Sequence, residues 1–442
     1  MSRLLPVCLL LTVRLCFAAG LASGCPPASA DEKRAPQISR VTQTHQSRPL
    51  SPGIVRQRPA SGRYVQIEGG FMVAYQVPVP GTDQTIWMEP IPGGEFVMGS
   101  PGDEPGRTPL EGPPSRWKTA PFWMSRCEIT QGQFRPYMNL YSVFRAHEFR
   151  RLTELSSDDL ATQQATVDAV TSPTQLYEPD FHFEYGRQDR MPMVTATLYS
   201  AKQYSKWLSA VTGSTFRLPT EAEWEYACRA GSRSRFHFGD DARQLADYAW
   251  FKDNAYDDGH HVVGEKRPNA WGLYDMHGNV AEWTYDHCVA YEASSSVRDA
   301  QQDWIAVAKI DPRAVRGGSF ESTADACRSA ARLPSDHELW REYDPDLPKS
   351  PWWMSSDVAR SIGLRIVRPL EPMTARERGR FWEADNQETF QDVQDRLREG
   401  RGAIGRVSRE LMLAVAAREA RRKAELAEKI RHAEKVRRQQ QP

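Results

Sequence analysis

The run Gly272-Leu273-Tyr274-Asp275-Met276-His277-Gly278-Asn279-Val280-Ala281-Glu282-Trp283 constrains this chain more than any other stretch. It sets two carboxylates, an Asn, a Gly pivot and a Trp in one short irregular segment. A hard cation is commonly held this way. Carboxylate oxygens stand at the ends, backbone carbonyls lie between, and a glycine lets the chain turn around the ion. On that reading Asp275 and Glu282 supply side-chain oxygens, and Gly278 and Val280 supply carbonyls, to a calcium ion. On spacing alone, a Gly-Asn turn between two strands with Glu282 at the surface is an equal alternative.

Other motifs stand around this run in a fixed order. Pro92-Gly93-Gly94-Glu95-Phe96-Val97-Met98-Gly99 lies upstream, and Arg217-Leu218-Pro219-Thr220-Glu221-Ala222-Glu223-Trp224 lies between. Arg316-Gly317-Gly318-Ser319-Phe320, Cys327-Arg328-Ser329-Ala330-Ala331-Arg332 and Ile362-Gly363-Leu364-Arg365 follow. Together they resemble the formylglycine-generating enzyme (sulfatase-modifying factor) family over about residues 85–370. The resemblance implies an α+β, irregular C-type-lectin-like fold, stabilised by calcium. It also implies a second calcium near Asn254 and Ala255, with Asp257 or Asp258 as a further carboxylate.

In the active family, two cysteines just after the Gly-Gly-Ser motif bind Cu(I) and oxidise a substrate cysteine to formylglycine. Counting forward from Ser319 places Ser322 at the first of these positions and Cys327 at the second. Counting back from Arg332 puts Cys327 about three residues out of register. Either way one thiol remains, and a hydroxyl is a poor Cu(I) ligand, so a Cu+ site is in doubt. Cys327 and Ser319 are the candidate catalytic residues. A reactive Cys327 would need its thiol pKa lowered by Arg316, Arg328 or Arg332; otherwise it is a buried packing residue. Ala281 replaces a Trp that often precedes the Glu-Trp pair. Two functions follow from the resemblance. One is an oxidoreductase acting at a peptide cysteine or another sulfur. The other is an inactive module that binds a peptide or glycan on the same scaffold.

Further constellations invite chemical readings. Asp257, Asp258, His260 and His261 form the one dense metal-type cluster, but adjacent side chains diverge in an extended run, and a solvated loop is the better expectation. Arg217, Glu221, Glu223 and Glu225 read as ion pairs along a helix, not as acid–base machinery. Ser319 has no G-x-S-x-G elbow, so a hydrolase triad is not expected.

The ends suggest an exported protein. Arg3, the apolar run from Leu4 to Ala22 and Ala28-Ser29-Ala30 read as a signal peptide over residues 1–30, with a weaker lipoprotein alternative at Cys25. The destination would be periplasmic or extracellular. Residues 31–84 read as a linker and short N-terminal segment, 85–370 as the domain and 371–442 as a charged helical tail. From Arg401 onward there are seven more Lys and Arg than Asp and Glu, so a basic C-terminal helix is expected, either solvated or touching a partner or an anionic surface. Formal net charge is zero, which gives no push toward nucleic acid. No stretch is apolar and long enough for a transmembrane span. Cys127, Cys228, Cys288 and Cys327 allow one or two disulfides, or four buried thiols.

Local signals place the elements. Ile86, Met88, Phe96 and Met98 suggest a hairpin turning at Pro92-Gly93-Gly94. Thr130 caps a helix, Tyr199 to Val211 has helical spacing, and Thr220 with Glu223 forms a capping box. Residues 141–190, 290–312 and 336–358 read as insertions.

Overall fold

Short strands and long side chains build this molecule, with arginines threaded through its interior. The computed structural model describes residues 51–151, 166–169, 183–305, 307, 309, 311–336, 359–400 and 402–439. The expected signal peptide, Cys25 and much of the 141–190 and 336–358 insertions lie outside the described residues.

The chain opens with β1 (Ile54–Val55), β2 (Tyr64–Ile67), β3 (Gly70–Val73), β4 (Tyr75–Pro78) and β5 (Thr85–Ile91). It continues through β6 (Gly94–Met98), β7 (Ser115–Thr119) and β8 (Phe122–Ser125) to helices α1 (Gln131–Met138) and α2 (Leu140–Arg151). After β9 (Thr166–Ala169) come α3 (Leu198–Thr212), α4 (Glu221–Arg229) and the single-turn α5 (Lys252–Ala255). β10 (Ala281–His287), β11 (Arg298–Asp299), β12 (Arg313–Arg316), β13 (Arg332–Pro334), β14 (Ile362–Gly363) and β15 (Val367–Pro369) follow. Last are α6 (Ala375–Trp382), α7 (Gln387–Arg398), β16 (Ala403–Arg406) and α8 (Arg409–Gln439).

β5 and β6 do not pair as a hairpin. β5 lies in the sheet ordered β15-β8-β5-β4, whereas β6 is the edge of β11-β7-β6. Pro92 and Gly93 form the corner at which the chain leaves one sheet for the other. The reason is local crowding: a Cβ on Gly93 would lie 2.9 Å from Pro121, so this is a tight bend against a neighbouring strand entry. The third main sheet, β13-β12-β10-β14, carries the Ala281–Trp283 end of the motif run.

The helices begin where their caps predict. Thr130, Thr197 and Thr220 each accept a backbone N–H at the start of α1, α3 and α4. The main core packs α1 and α3 through aromatic rings, with Phe134 stacked on Tyr204 at 4.6 Å and Trp207 alongside. Such rings each bury 150–250 Å² and dominate an irregular core.

α4 brings three buried glutamates inside, and each meets a guanidinium. Glu223 is held bidentately by Arg217 at 2.6 and 2.7 Å. Glu225 is held by Arg229 at 2.8 Å and by Arg316, and Glu221 by Arg332 at 2.7 Å. The ion-pair expectation for this helix is met, with two partners from distant strands.

Residues 371–400 do not form a free tail. Phe381 and Trp382 are buried, Trp382 donates to the Phe216 carbonyl at 2.8 Å, and Asp385 holds Lys202 and Arg313. β16 pairs with β9. Only α8 extends as the expected basic helix, anchored at Met412 and exposed along most of its described second half. No helix among the described residues is long and apolar enough to cross a membrane.

Candidate functional site

The motif run folds as a tight loop leading into β10. Asp275 and Asn279 take left-handed φ values of 58° and 62°, a region these two residue types tolerate better than most. Gly278 is required by close approach, since a Cβ would lie 2.2 Å from the Trp250 carbonyl oxygen. The Asn279 N–H donates to that same carbonyl at 2.7 Å. The Asn279 side chain accepts from the His261 N–H at 2.8 Å and donates to Glu128 at 3.1 Å.

Of the expected calcium ligands, Asp275 and Glu282 are near enough for their charges to interact, but they are not equally free. Glu282 is buried, held by Arg365 at 2.8, 3.0 and 3.1 Å and by Trp224 Nε1 at 2.7 Å. Asp275 accepts from the Gly264 N–H at 2.7 Å through Oδ2, while its Oδ1 has no partner. Glu128 stands close enough to Asp275 for their charges to interact, and its Oε2 is also unpartnered. Burial, and then mutual repulsion, hold the Glu128 carboxyl well above its usual range; burial raises Asp275 in the same direction. Two orphaned oxygens on neighbouring buried carboxylates suit a cation or a shared proton. Asn254 has its side chain engaged in its own turn, accepting from the Phe251 N–H at 2.8 Å and donating to the Ala249 carbonyl. Ala255 is buried just beyond it. Among the described residues, no three His, Cys, Asp or Glu side chains converge as a metal cluster.

The Gly-Gly-Ser segment lies against the motif loop, with the Phe320 N–H donating to the Asn279 carbonyl at 2.9 Å. Gly317 and Gly318 both have positive φ, and a Cβ on Gly318 would lie 2.7 Å from Cys327 Sγ. Ser319 and Ser322 bond to each other in a turn: the Ser319 N–H donates to Ser322 Oγ at 2.9 Å and the hydroxyls are 3.3 Å apart. Cys327 is fully buried among Phe236, Leu245, Ala249 and Phe251. Burial pushes its thiol up, and Asp253 adds to this. Arg316, Arg328 and Arg332 are aimed at Glu225, Glu111 and Glu221 instead. These residues do not fit Cu(I): Cys327 is a single thiol, kept protonated by its apolar pocket, and Ser322 is a hydroxyl engaged in its own turn. All four described cysteines are free, so neither disulfide expectation is met.

Three residues escaped sequence reasoning. Glu128 sits in a strand-like run that gave no hint of its meeting with Asp275. His277 is buried, its Nδ1 lying 2.7 Å from the Cys327 carbonyl and its Nε2 2.9 Å from His237 Nδ1. His237 escaped as well, for the same lack of a local signal. The expected solvated loop holds for Asp257 and Asp258, which are exposed, but not for His260, which is 2% exposed with both ring nitrogens unpartnered; His261 is half-buried and stacks on Trp250 at 3.7 Å.

This geometry has a family. The chain belongs to the sulfatase-modifying factor enzyme 1-like domain family, which it matches over residues 74–340. It is 28% identical over 271 residues to the inactive C-alpha-formylglycine-generating enzyme 2 of Bos taurus, covering 55% of this chain and 80% of that protein. It is 28% identical over 267 residues to the formylglycine-generating enzyme of Streptomyces coelicolor, covering 55% and 82%. Among solved structures it resembles PvdO from Pseudomonas aeruginosa with a TM-score of 0.47 and 29% identity, over 66% of this chain and 100% of that one. The α+β, irregular formylglycine-generating-enzyme fold expected from the motifs is the fold the chain adopts.

Proposed function

We propose that this chain is a binding member of the sulfatase-modifying factor family in which the two-thiolate oxidase centre has become packing. The observation that carries this is Cys327: it is the one cysteine of its segment, fully buried, with its thiol held protonated and a serine turn where a second thiolate would be needed. The ligand class is a peptide or glycan. A calcium ion held by Asp275, with Glu128 beside it, would supply a fixed positive charge that clamps the motif loop. The orphaned oxygens of those two residues support that placement. Glu282 would stay with Arg365, outside the coordination shell. Function outside the cytoplasm belongs to the same reading and rests on the segment 1–30 of the sequence.

The test is direct. The protein is supplied with Cu(I) and oxygen and offered a cysteine-containing peptide, and the peptide mass and bound copper are measured. The expected result is an unchanged peptide and no stoichiometric copper. An aldehyde product that disappears in Cys327→Ala would overturn the proposal and restore the oxidoreductase reading.

A further inference from the structure

β6 is the outer strand of its sheet, pairing with β7 alone in a continuous register from Gly94–Thr119 to Met98–Ser115. No described loop or side chain hydrogen-bonds to the other edge of Gly94–Met98. Edges of this kind are ordinarily blunted by short length, a charged side chain, a proline, a bulge or a covering loop, and the one charge on β6, Glu95, is neutralised by Arg116. β6 has neither proline nor bulge, and Val97 on it is 46% exposed.

A cleft of about 510 Å³ is lined by Glu95, Phe96 and Val97 of β6 together with Tyr226, Arg233 and Trp271. One wall is aromatic: Phe96 lies 5.2 Å from Tyr226, which lies 4.8 Å from Trp271. Gly94 keeps this wall close, since a Cβ there would lie 2.6 Å from the Tyr226 hydroxyl. Burial pushes that phenol up to about 12, so it stays protonated and able to donate. The rim is cationic. Arg116 is matched by Glu95 at 2.7 Å, whereas exposed Arg233 has no ion pair among the described residues. An open backbone ladder, an aromatic slot and a spare positive charge in one place match an extended chain bearing an apolar residue followed by a carboxylate.

We infer that β6 receives an extended peptide as an added strand, with an apolar side chain between Phe96, Tyr226 and Trp271 and an acidic residue at Arg233. This deepens the binding reading and rests on it. It places the ligand on a face of the domain built by β6 and α4 and not by the Ser319–Cys327 segment.

The test uses the full chain and a fluorescein-labelled heptapeptide, Thr-Val-Ser-Phe-Val-Asp-Glu, followed by fluorescence anisotropy. Two further peptides are N-methylated at alternate amides in the two possible registers, which blocks strand pairing and leaves the side chains unchanged. A fourth carries Lys in place of both acids. The expected results are saturable binding of the first peptide and at least about tenfold weaker binding of one N-methylated form. Arg233→Glu, an exposed substitution, should weaken the acidic peptide about tenfold and favour the lysine peptide. No binding of the first peptide up to about 1 mM overturns the inference, as does equal binding of both N-methylated forms. Equal binding of those forms would leave the chain a peptide binder with its site elsewhere, whereas aldehyde formation in the copper assay would remove the binding reading itself.

Discussion

Replacing Arg365 by Met should be among the most damaging single changes in this molecule. Arg365 is completely buried and bonds to Glu282 at 2.8, 3.0 and 3.1 Å. It also donates to the carbonyls of Ser125 at 2.7 Å and Tyr274 at 2.8 Å. Met fills similar volume but removes the charge and every donor. Glu282 would keep only Trp224 Nε1, and two carbonyls would lose their partner. Asp275 and Glu128 stand near enough that each feels the Glu282 charge. Breaking a buried pair from one side costs about 3–5 kcal/mol, because a charge is left without compensation. Replacing both partners, Arg365→Met with Glu282→Leu, should recover about 2 kcal/mol or more, since no charge is stranded. Urea unfolding followed by tryptophan fluorescence reads Arg365→Met, Glu282→Leu and the double variant. A single-variant cost under about 1 kcal/mol, or a double variant equal to the sum of the singles, would refute the argument that Glu282 is a buried charge matched by this arginine.

Two further outcomes follow from neighbouring residues. His260 is buried without partners and burial lowers its pKa to about 4, with His261 adding to the effect. Its neutral form therefore stabilises the fold fully above the unfolded value near 6.5. That stability drains as pH falls from there toward 4, by up to about 3 kcal/mol. His260→Phe should flatten this part of the stability–pH curve, and an unchanged curve would show that His260 is not the group responsible. Calcium at a hundredfold excess over its dissociation constant should add about 2.7 kcal/mol to the unfolding free energy. Asp275→Asn, which keeps the left-handed backbone accessible, should abolish that response, measured as unfolding with calcium and then with a chelator.

Features written into neighbouring residues were legible in the sequence. Thr220 with Glu223 announced α4, and the Asp, Gly and Asn of the motif run announced a turn whose φ values few other residues accept. The buried single thiol was also legible, because Ser322 stands where a second would be required. What was not legible depends on partners far apart in the chain. Glu282 reads as a calcium ligand until Arg365, 83 residues on, is seen to hold it. Pro92-Gly93-Gly94 reads as a hairpin turn until β6 is found in a different sheet from β5. Trp382 reads as part of a charged tail until Phe216 accepts its indole proton. Periodicity and turn chemistry report local geometry; they carry no information about which surfaces meet.

The closing strands set an order for the birth of this molecule. β8 pairs with β15 between Met124 and Val367, β10 pairs with β14 between Ala281 and Ile362, and Arg368 reaches back to the Pro52 carbonyl at 2.6 Å. The family match ends at residue 340, before β14, β15 and Arg368. A chain that stops at the end of the matched region therefore has one edge of β8 unpaired, Glu282 without Arg365, and no Arg368 to tie down Pro52. Cooperative closure waits for residues 362–369, which lie far in sequence from the strands they pair with. A gene trimmed to the matched region would encode a domain with those pairings permanently open.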